Sequence, residues 1–414
     1  MDNIPLSLPL LLDGATGSEL LKRGMPAGAC TEQWVLEHPE VLVELQREYV
    51  AAGSHVILAP TFGANAVKLE EHGLSGKVDE YNRRLVALSR QAAGGKALVG
   101  GDMAPTGKFI EPFGDYTFEM LVAVYTEQAL ALELAGVDLF VVETTMTMPE
   151  ARAAVLAIRS VSHKPVFVTF TCDENGRTLS GTDVLAALIV MQGMGVSAFG
   201  LNCSSGPDGM LEQLRRLTPY ARVPLIAKPN AGLPHMEEGR AVYDCPPEEF
   251  ASYAKAMAEA GVRVFGGCCG TTPEHIAALK AAVAAVDFAA LPAVEHDPDV
   301  IPCASETEAR FITPDVDVGE TIECTSDLME DIVEAEENCP QGALKIEILE
   351  EDDVALFAEN QYVVKDALCI TTDVPELLEG ALRAFQGRAF WDGTEELEPA
   401  FLEQMRKKYG LVLL

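Results

Sequence analysis

Eight short β-rich runs alternate with longer helical patterns through the first 270 residues, and this alternation restricts the possible folds more than any other feature. Three of the intervening patterns are amphipathic and end at glycine, as helices often do: Pro39–Gly53, Phe118–Gly136 and Pro247–Gly261. The predicted strands are Leu8–Leu12, His55–Ala59, Ala97–Gly101, Leu139–Val142, Val166–Phe170, Ala198–Leu201, Leu225–Ala227 and Val262–Gly266.

Eight alternating units over this length predict an α/β fold, a closed (β/α)8 TIM barrel. An open doubly wound sheet is the alternative, but it usually has fewer strands and a phosphate-binding glycine loop after the first. The segment Asp13-Gly14-Ala15-Thr16-Gly17 lacks the GxGxxG spacing of that loop. The closed barrel is therefore favoured.

The chain of 414 residues is longer than one hydrophobic core usually supports, so we expect two domains. Residues 291–414 carry 30 acidic side chains against 8 Lys or Arg, which is most of the net charge of −34. Prolines 292, 298 and 302 interrupt the chain where this acidic part begins. We predict a barrel over 1–290, a linker over 291–304 and a small acidic α+β domain over 305–414.

The strongly negative charge argues against binding to nucleic acid or to an anionic membrane surface. No apolar run approaches the ~18–20 residues that span a bilayer, and the first residues lack the pattern of a signal peptide. Ten cysteines are too few and too irregular for a disulfide scaffold. We expect a cytoplasmic protein with reduced thiols.

Active sites of such barrels lie at the carboxyl ends of the strands, where this sequence places polar and thiol side chains. Cys203 follows the sixth strand, and Cys268 and Cys269 follow the eighth. A closed barrel would bring these three thiols together at one rim, and three soft ligands with a free fourth position are typical of catalytic zinc. Zinc held by three thiolates suits the activation of a fourth thiol for alkyl transfer.

The alternative is that these cysteines are buried as small apolar residues, which is common for cysteine. The other cysteines show no such convergence and are expected to be packing or surface residues. They are Cys30, Cys172, Cys245, Cys303, Cys324, Cys339 and Cys369.

Four segments resemble the homocysteine S-methyltransferase family over about residues 5–288. They are GGCCGTTPEHI (266–276), GLNC (200–203), DGATG (13–17) and TFGAN (61–65). The first is specific, and it resembles the homocysteine module of cobalamin-dependent methionine synthases more than the betaine or S-methylmethionine enzymes.

The resemblance implies a (β/α)8 barrel with zinc on Cys203, Cys268 and Cys269. It also implies that Asp13 and Glu143 bind the amino group of homocysteine and that the backbone N–H groups around Gly14 and Ala15 receive its carboxylate. Asn230 matches a position that can occupy the fourth zinc site until the substrate thiol displaces it. Thr61, Phe62 and Asn65 are expected to shape the pocket, although Phe62 would more often be a core residue.

Each of these residues also has a structural explanation. Asp13 could cap the following helix, and Glu143 could pair with Lys228 inside the barrel mouth. Asn230 lies in a Pro-Asn-Ala-Gly turn, where asparagine also serves by tolerating unusual backbone angles.

The acidic segment is expected to contain a strand at Leu344–Leu349 and helices at Glu376–Phe385 and Glu395–Tyr409. Residues 367–393 faintly resemble one strand–helix unit of a pterin-binding barrel. The segment is too short for a whole folate-binding barrel, and the chain has no Asp-x-His-x-x-Gly signature of a cobalamin module. Any methylcobalamin would therefore be supplied by a partner protein that binds a corrinoid or folate. The acidic domain could be the surface to which this partner binds. The alternative is that its acidic face is only exposed to solvent and has a packing role.

The resemblance and the thiol pattern together predict zinc-assisted SN2 transfer of a methyl group to homocysteine, with methionine as product. The donor could be methylcobalamin on a partner, S-methylmethionine or another sulfonium compound. Betaine is least favoured, because a quaternary amine usually needs an aromatic cage and only 7% of the residues are aromatic. A non-catalytic subunit that binds zinc or a thiol, and a zinc hydrolase, are the alternatives of other kinds.

Overall fold

The computed structural model describes residues 7–237, 240–338 and 342–414. Its larger part is a parallel eight-stranded sheet in which consecutive strands are neighbours, except where β1 lies next to the last strand. The barrel strands are β1 Leu10–Leu11, β2 Val56–Leu58, β3 Leu98–Met103, β4 Leu139–Thr145, β5 Val166–Phe170, β6 Ala198–Asn202, β7 Leu225–Lys228 and β10 Val262–Phe265. The hairpin β8 His235–Glu237 and β9 Arg240–Val242 lies in the connection after β7.

The barrel closes between β1 and β2 without a regular ladder. The His55 N–H donates to the Leu11 carbonyl at 2.7 Å, and the Leu58 N–H donates to Asp13 Oδ2 at 2.8 Å. A side chain from the end of β1 thus completes the hydrogen bonding that backbone groups provide elsewhere in the sheet. The predicted (β/α)8 barrel is confirmed, and all eight predicted strands overlap observed ones.

In the described part of the barrel, twelve α-helices surround the strands, and they begin and end where the local sequence favours it. The predicted helices ending at Gly53 and Gly136 are present, and both glycines have the positive φ of a helix C-terminus, 112° and 78°. The predicted helix over 247–261 is interrupted at Tyr253. The helices are α1 Gly17–Lys22, α2 Thr31–Glu37, α3 Pro39–Ala52, α4 Ala66–Glu70, α5 Val78–Ala93, α6 Phe118–Ala135, α7 Met148–Val161, α8 Val184–Gly193, α9 Pro207–Leu217, α10 Pro247–Ser252, α11 Ala254–Glu259 and α12 Pro273–Ala284.

The barrel interior is apolar at one end and polar at the other. Alternate strand residues fill the apolar layers: Leu10, Leu12, Val56, Leu58, Leu139, Val141, Phe167, Ala198, Ile226 and Val264. Two residues further along three of the strands, the same face carries Glu143, Thr169 and Lys228. The polar end is the carboxyl end of the strands, where the candidate site lies.

The C-terminal segment begins with an antiparallel hairpin, β11 Ile301–Ala304 and β12 Ala309–Ile312. Strand β11 lies inside the segment that the sequence predicted to be a linker. Its residues pair with β12, and Cys303 is buried against the following sheet, so this stretch is part of the folded C-terminal segment. A sheet follows, with the strands β13 Thr321–Glu323, β14 Ala343–Glu347, β15 Ala367–Thr371, β16 Phe390–Trp391 and β17 Val412–Leu413. The helices between them are α13 Leu328–Asn338, α14 Glu351–Asn360, α15 Pro375–Ala384 and α16 Pro399–Tyr409.

The five strands of this second sheet are all parallel and lie in chain order. The expected C-terminal sheet domain is present, but strands that alternate with helices in a parallel sheet make it α/β where the sequence indicated α+β. The predicted strand and the two predicted helices of this segment correspond to β14, α15 and α16.

The two parts are joined by a buried arginine. Arg152 of α7 donates from Nη2 to the Leu382 carbonyl at 2.9 Å and from Nη1 to Gln386 Oε1 at 3.1 Å, at the end of α15. Its side chain is fully buried, and burial lowers its pKa to about 10. Among the described residues, no helix combines the length and the hydrophobicity that a bilayer-spanning segment needs.

Candidate active site

Three cysteines from two strand ends meet at the polar end of the barrel. Cys203 follows β6, Cys268 and Cys269 follow β10, and their sulfur atoms all lie within 4.8 Å of one another. The loop after β7 connects them, since the Cys203 N–H donates to the Lys228 carbonyl at 3.2 Å and the Cys268 N–H donates to the Pro229 carbonyl at 2.8 Å. The structure thus brings together the three thiols singled out in the sequence.

The backbone at this cluster is held in an unfavourable conformation. Cys203 and the next residue, Ser204, have φ angles of 62° and 57°, and Thr144 of β4 has a φ of 61°. Residues other than glycine rarely adopt positive φ, and it is least favourable for a β-branched residue such as threonine. Such strain is maintained where surrounding contacts fix a functional geometry.

The spacing of the sulfur atoms fits a tetrahedral metal. With Zn–S bonds of about 2.3 Å, two ligands of a tetrahedral ion lie about 3.8 Å apart. The three sulfur atoms already lie within 4.8 Å of one another, so they would need to move only slightly closer to bind such an ion. The remaining six described cysteines lie outside this cluster, and none of the nine forms a disulfide. Cys339 lies outside the described residues.

Electrostatics of the three thiols favours a cation between them. Hydrogen bonds from Cys268 and Cys269 lower the pKa of Cys203, whereas the same contacts with Cys203 are the largest cause that raises the pKa of Cys268 and of Cys269. The cluster therefore readily forms one thiolate and resists forming three. A divalent ion would supply the charge that three thiolates need.

Two further side chains contact the sulfur atoms. Asn230 is buried, its side chain hydrogen-bonds Cys203, and its Oδ1 has no hydrogen-bond partner among the described residues. Tyr243, just after β9, hydrogen-bonds Cys269, and its ring lies so close to Gly270 that a Cβ there would be 2.4 Å from Cγ of the tyrosine. The turn role considered for Asn230 does not account for its unpartnered buried oxygen.

The cluster forms one wall of a cavity of about 370 Å³ at the barrel mouth. The loop after β1, including Gly14 and Ala15, also lines the cavity, together with four carboxyl groups and one lysine. Phe62 is the only aromatic side chain among the described residues that line the cavity, and it is 38% exposed rather than a core residue. Thr61 and Asn65 lie outside the lining, because Thr61 bonds the backbone of Asp102 and Asn65 caps α4.

Four ionisable side chains converge on the cavity floor. Asp13, Asp102, Glu143 and Lys228 are all buried residues. Lys228 Nζ forms an ion pair with Glu143 Oε2, so the pairing considered in the sequence is present. Asp13 accepts from the Leu58 N–H and does not cap α1, whose N-cap is Thr16.

Burial and neighbouring charges shift the pKa values of this group. Burial, assisted by Glu143, raises the pKa of Asp13 to about 7, although Lys228 and the Leu58 N–H oppose the shift. Burial also raises the pKa of Asp102 well above its usual range. Burial is the largest single effect on the pKa of Lys228, and it lowers that pKa. The charges of Glu143, Asp13 and Asp102 together outweigh burial, so the pKa of Lys228 is raised.

The loop after β1 is held close to the loop after β10. The Ala15 N–H donates to Thr271 Oγ1 at 3.0 Å, and a Cβ at Gly14 would lie 2.8 Å from the same oxygen. Only glycine fits this close approach. Because Thr271 already accepts from Ala15, a bound carboxylate at this loop would have to share or replace that hydrogen bond.

Asn202, the last residue of β6, links the cysteine cluster to β4. Its Oδ1 accepts from the Thr144 N–H and from Thr169 Oγ1, both at 2.9 Å, and its Nδ2 lies 3.8 Å from Cys268 Sγ. It therefore holds the strained Thr144 backbone and one thiol of the cluster.

Sequence reasoning missed Asp102 and Tyr243 and did not assign a site role to Lys228. Alternation along β3 would have found Asp102, since it lies two residues past Gly100 on the inward face, beyond the predicted end of that strand. No local pattern marks Tyr243, because it reaches the cluster from a hairpin.

Inward-facing carboxyl groups and a three-thiol cluster lie together at the carboxyl ends of the strands, which is where barrel enzymes have their active sites. The chain belongs to the homocysteine S-methyltransferase family, whose model matches residues 10–283.

Named relatives agree with this family. The methionine synthases of Mycobacterium leprae and Mycobacterium tuberculosis are each 35% identical, over 304 and 292 residues respectively. These matches cover 69% and 66% of this chain, but 25% and 24% of those proteins, so the chain spans about a quarter of their length.

Solved structures of a homocysteine methyltransferase are similar to this chain in sequence and in fold. The homocysteine methyltransferase MmuM of Escherichia coli has 28% sequence identity in its metallated form, with a TM-score of 0.57, and 27% in its apo form, with a TM-score of 0.54. Each comparison covers 66% of this chain and 95% of the other.

Proposed function

We propose that this protein transfers a methyl group to the thiol of homocysteine, giving methionine. The observation that carries the proposal is the meeting of Cys203, Cys268 and Cys269 on one wall of a cavity whose floor contains Asp13 and Glu143. Such a cavity can receive a thiol at one end and an ammonium group at the other. Membership of the homocysteine S-methyltransferase family and the similarity to methionine synthases support this substrate.

The three cysteines would hold Zn²⁺, with Asn230 as a replaceable fourth ligand. Bound zinc supplies a positive charge that lowers the pKa of an incoming thiol and keeps it as a thiolate at neutral pH. Asn230 fits the replaceable position because its buried Oδ1 has no other partner among the described residues. The thiol proton would be released when the substrate binds.

The remaining residues position the substrate. Asp13 and Glu143 would receive the ammonium group, and the N–H groups of the loop at Gly14 and Ala15 would receive the carboxylate. The substrate sulfur then attacks the methyl carbon, a new S–C bond forms, and the electron pair of the broken bond leaves with the donor. These contacts would hold the substrate sulfur oriented toward the open side of the cavity.

We propose methylcobalamin on a partner protein as the donor, with S-methylmethionine or another sulfonium compound as the alternative. The resemblance of GGCCGTTPEHI to the homocysteine module of cobalamin-dependent methionine synthases favours the former, and the 35% identity to methionine synthases supports this choice. A quaternary amine is disfavoured, since Phe62 is the only aromatic residue among the described ones lining the cavity. In the cell, we place the protein in the cytoplasm.

The test combines zinc content with methionine formation. Wild type, Cys268→Ser and the matched control Cys324→Ser, which alters a thiol outside the cluster, are purified under reducing conditions. Each is assayed with homocysteine and, separately, free methylcobalamin, a protein-bound methylcorrinoid and S-methylmethionine.

We expect about one zinc per chain in wild type and Cys324→Ser, and loss of both zinc and methyl transfer in Cys268→Ser. The productive donor identifies the subfamily. Wild-type protein without zinc would contradict the metal site, and zinc binding without transfer from any donor would favour a non-catalytic subunit or a different thiol substrate.

A further inference from the structure

Asp102 is a buried carboxylate in the cavity that none of the roles above uses. It lies near the end of β3, is 7% exposed and lines the cavity. Its Oδ1 is buried without a hydrogen-bond partner among the described residues. A buried carboxylate oxygen without a donor destabilises the fold, so its presence calls for a partner that arrives from the cavity.

The local backbone does not need this carboxylate. Thr61 Oγ1 accepts from the Asp102 N–H at 3.0 Å and donates to the Asp102 carbonyl at 2.8 Å. Gln128 Nε2 in turn donates to the Thr61 carbonyl at 2.7 Å. These bonds fix the end of β3 through main-chain atoms, so the side chain of residue 102 is free to serve a ligand.

The charges on the cavity floor are unbalanced in a way that fits a cationic ligand. Four carboxyl groups line the cavity, those of Asp13, Glu32, Asp102 and Glu143, and Lys228 is the only cationic side chain among the described residues there. Glu32 accepts from the Gly63 N–H at 2.7 Å and so already has a partner. Lys228 is paired with Glu143. A primary ammonium group carries one positive charge and three N–H donors, so it can bond Asp13, Asp102 and Glu143 at the same time.

We propose that Asp102 is a third carboxylate ligand of the substrate's ammonium group and makes the site specific for a thiol that carries a primary amine. This inference rests on the proposed function. The test compares the binding of two thiols that differ only in the amine, homocysteine and 4-mercaptobutanoate.

Binding of both thiols is measured by calorimetry on the zinc-loaded protein. The variants are Asp102→Asn, which keeps the shape and removes the charge, and Asp79→Asn, which alters an exposed carboxylate of α5. Unfolding in urea and zinc content are measured in parallel. If Asp102→Asn fails to fold, Asp102→Ser serves the same purpose.

We expect wild type and Asp79→Asn to bind homocysteine more tightly than 4-mercaptobutanoate. In Asp102→Asn, the affinity for homocysteine should fall by at least about tenfold while that for 4-mercaptobutanoate is unchanged, because a charged hydrogen bond to the amine is lost. Stability should change little, because burial raises the pKa of Asp102 and favours its neutral form in the empty cavity, and the variant side chain is neutral as well.

Three results would overturn the inference. Equal homocysteine affinity in wild type and Asp102→Asn would show that Asp102 does not contact the amine, while the proposed function would stand. Equal weakening of both thiols together with lower stability would show a structural role. If the wild type bound neither thiol, the proposed function would fail together with the inference.

Discussion

Lys228 and Glu143 form an ion pair across the barrel interior, from β7 to β4, with side chains only 3% and 11% exposed. Removing one partner of a buried pair leaves an uncompensated charge and typically destabilises a protein by about 3–5 kcal/mol. Burial raises the pKa values of Asp13 and Asp102, and Lys228 lowers them. Replacing Lys228 with methionine removes this opposing effect.

We therefore expect Lys228→Met to lower the free energy of unfolding by about 3–5 kcal/mol at pH 8 and by less at pH 5, where the carboxyl groups can take up protons. Urea unfolding at the two pH values measures this. Lys77→Met, which removes an exposed pair with Glu80, should leave stability nearly unchanged. Equal losses at both pH values would contradict the explanation.

Asn202→Ala should weaken zinc binding, although Asn202 is not a metal ligand. It removes the partner of the strained Thr144 N–H and of Thr169, and the contact with Cys268. Loss of such outer contacts typically reduces metal affinity by about 10- to 100-fold. Competition with a chelator measures the affinity, with Asn175→Ala in an exposed turn as the control. Unchanged zinc affinity would mean that the cysteine loops hold their geometry without Asn202.

Asp13 makes the stability of the protein depend on pH. Its pKa is raised to about 7, so the folded state binds this proton more tightly than the unfolded state does, and stability falls as the pH rises from about 4 to 7. Between pH 5 and pH 8, wild type should lose about 2–3 kcal/mol relative to Asp13→Asn, whose amide oxygen can still accept from the Leu58 N–H. Parallel stability curves for the two proteins would contradict this assignment.

Arg152→Met should loosen the contact between the barrel and the C-terminal sheet. The variant loses the donors to the Leu382 carbonyl and to Gln386 at the end of α15. We expect a loss of about 2 kcal/mol in the free energy of unfolding, and faster amide exchange in α15 than in the barrel strands. Arg84→Met, on the exposed face of α5, is the control. Uniform exchange across both parts would show that they unfold as one unit.

The sequence by itself determined the order of strands and helices in the barrel and the thiols at its rim. Both follow from local patterns: runs of buried residues mark strands of a parallel sheet, and Cys203, Cys268 and Cys269 come directly after two of those runs. Because every carboxyl end of a closed parallel barrel faces the same side, strand order alone was enough to bring these residues together.

Only the tertiary structure decided which side chains share the cavity floor and how the C-terminal strands pair. Asp13, Asp102, Glu143 and Lys228 come from four different strands, and their proximity depends on barrel closure and on the inward register of each strand. The parallel pairing of β13 to β17 likewise depends on contacts between segments distant in the chain. Local propensity carries no information on such pairings, because it reports on neighbours in sequence and these contacts are between neighbours in space.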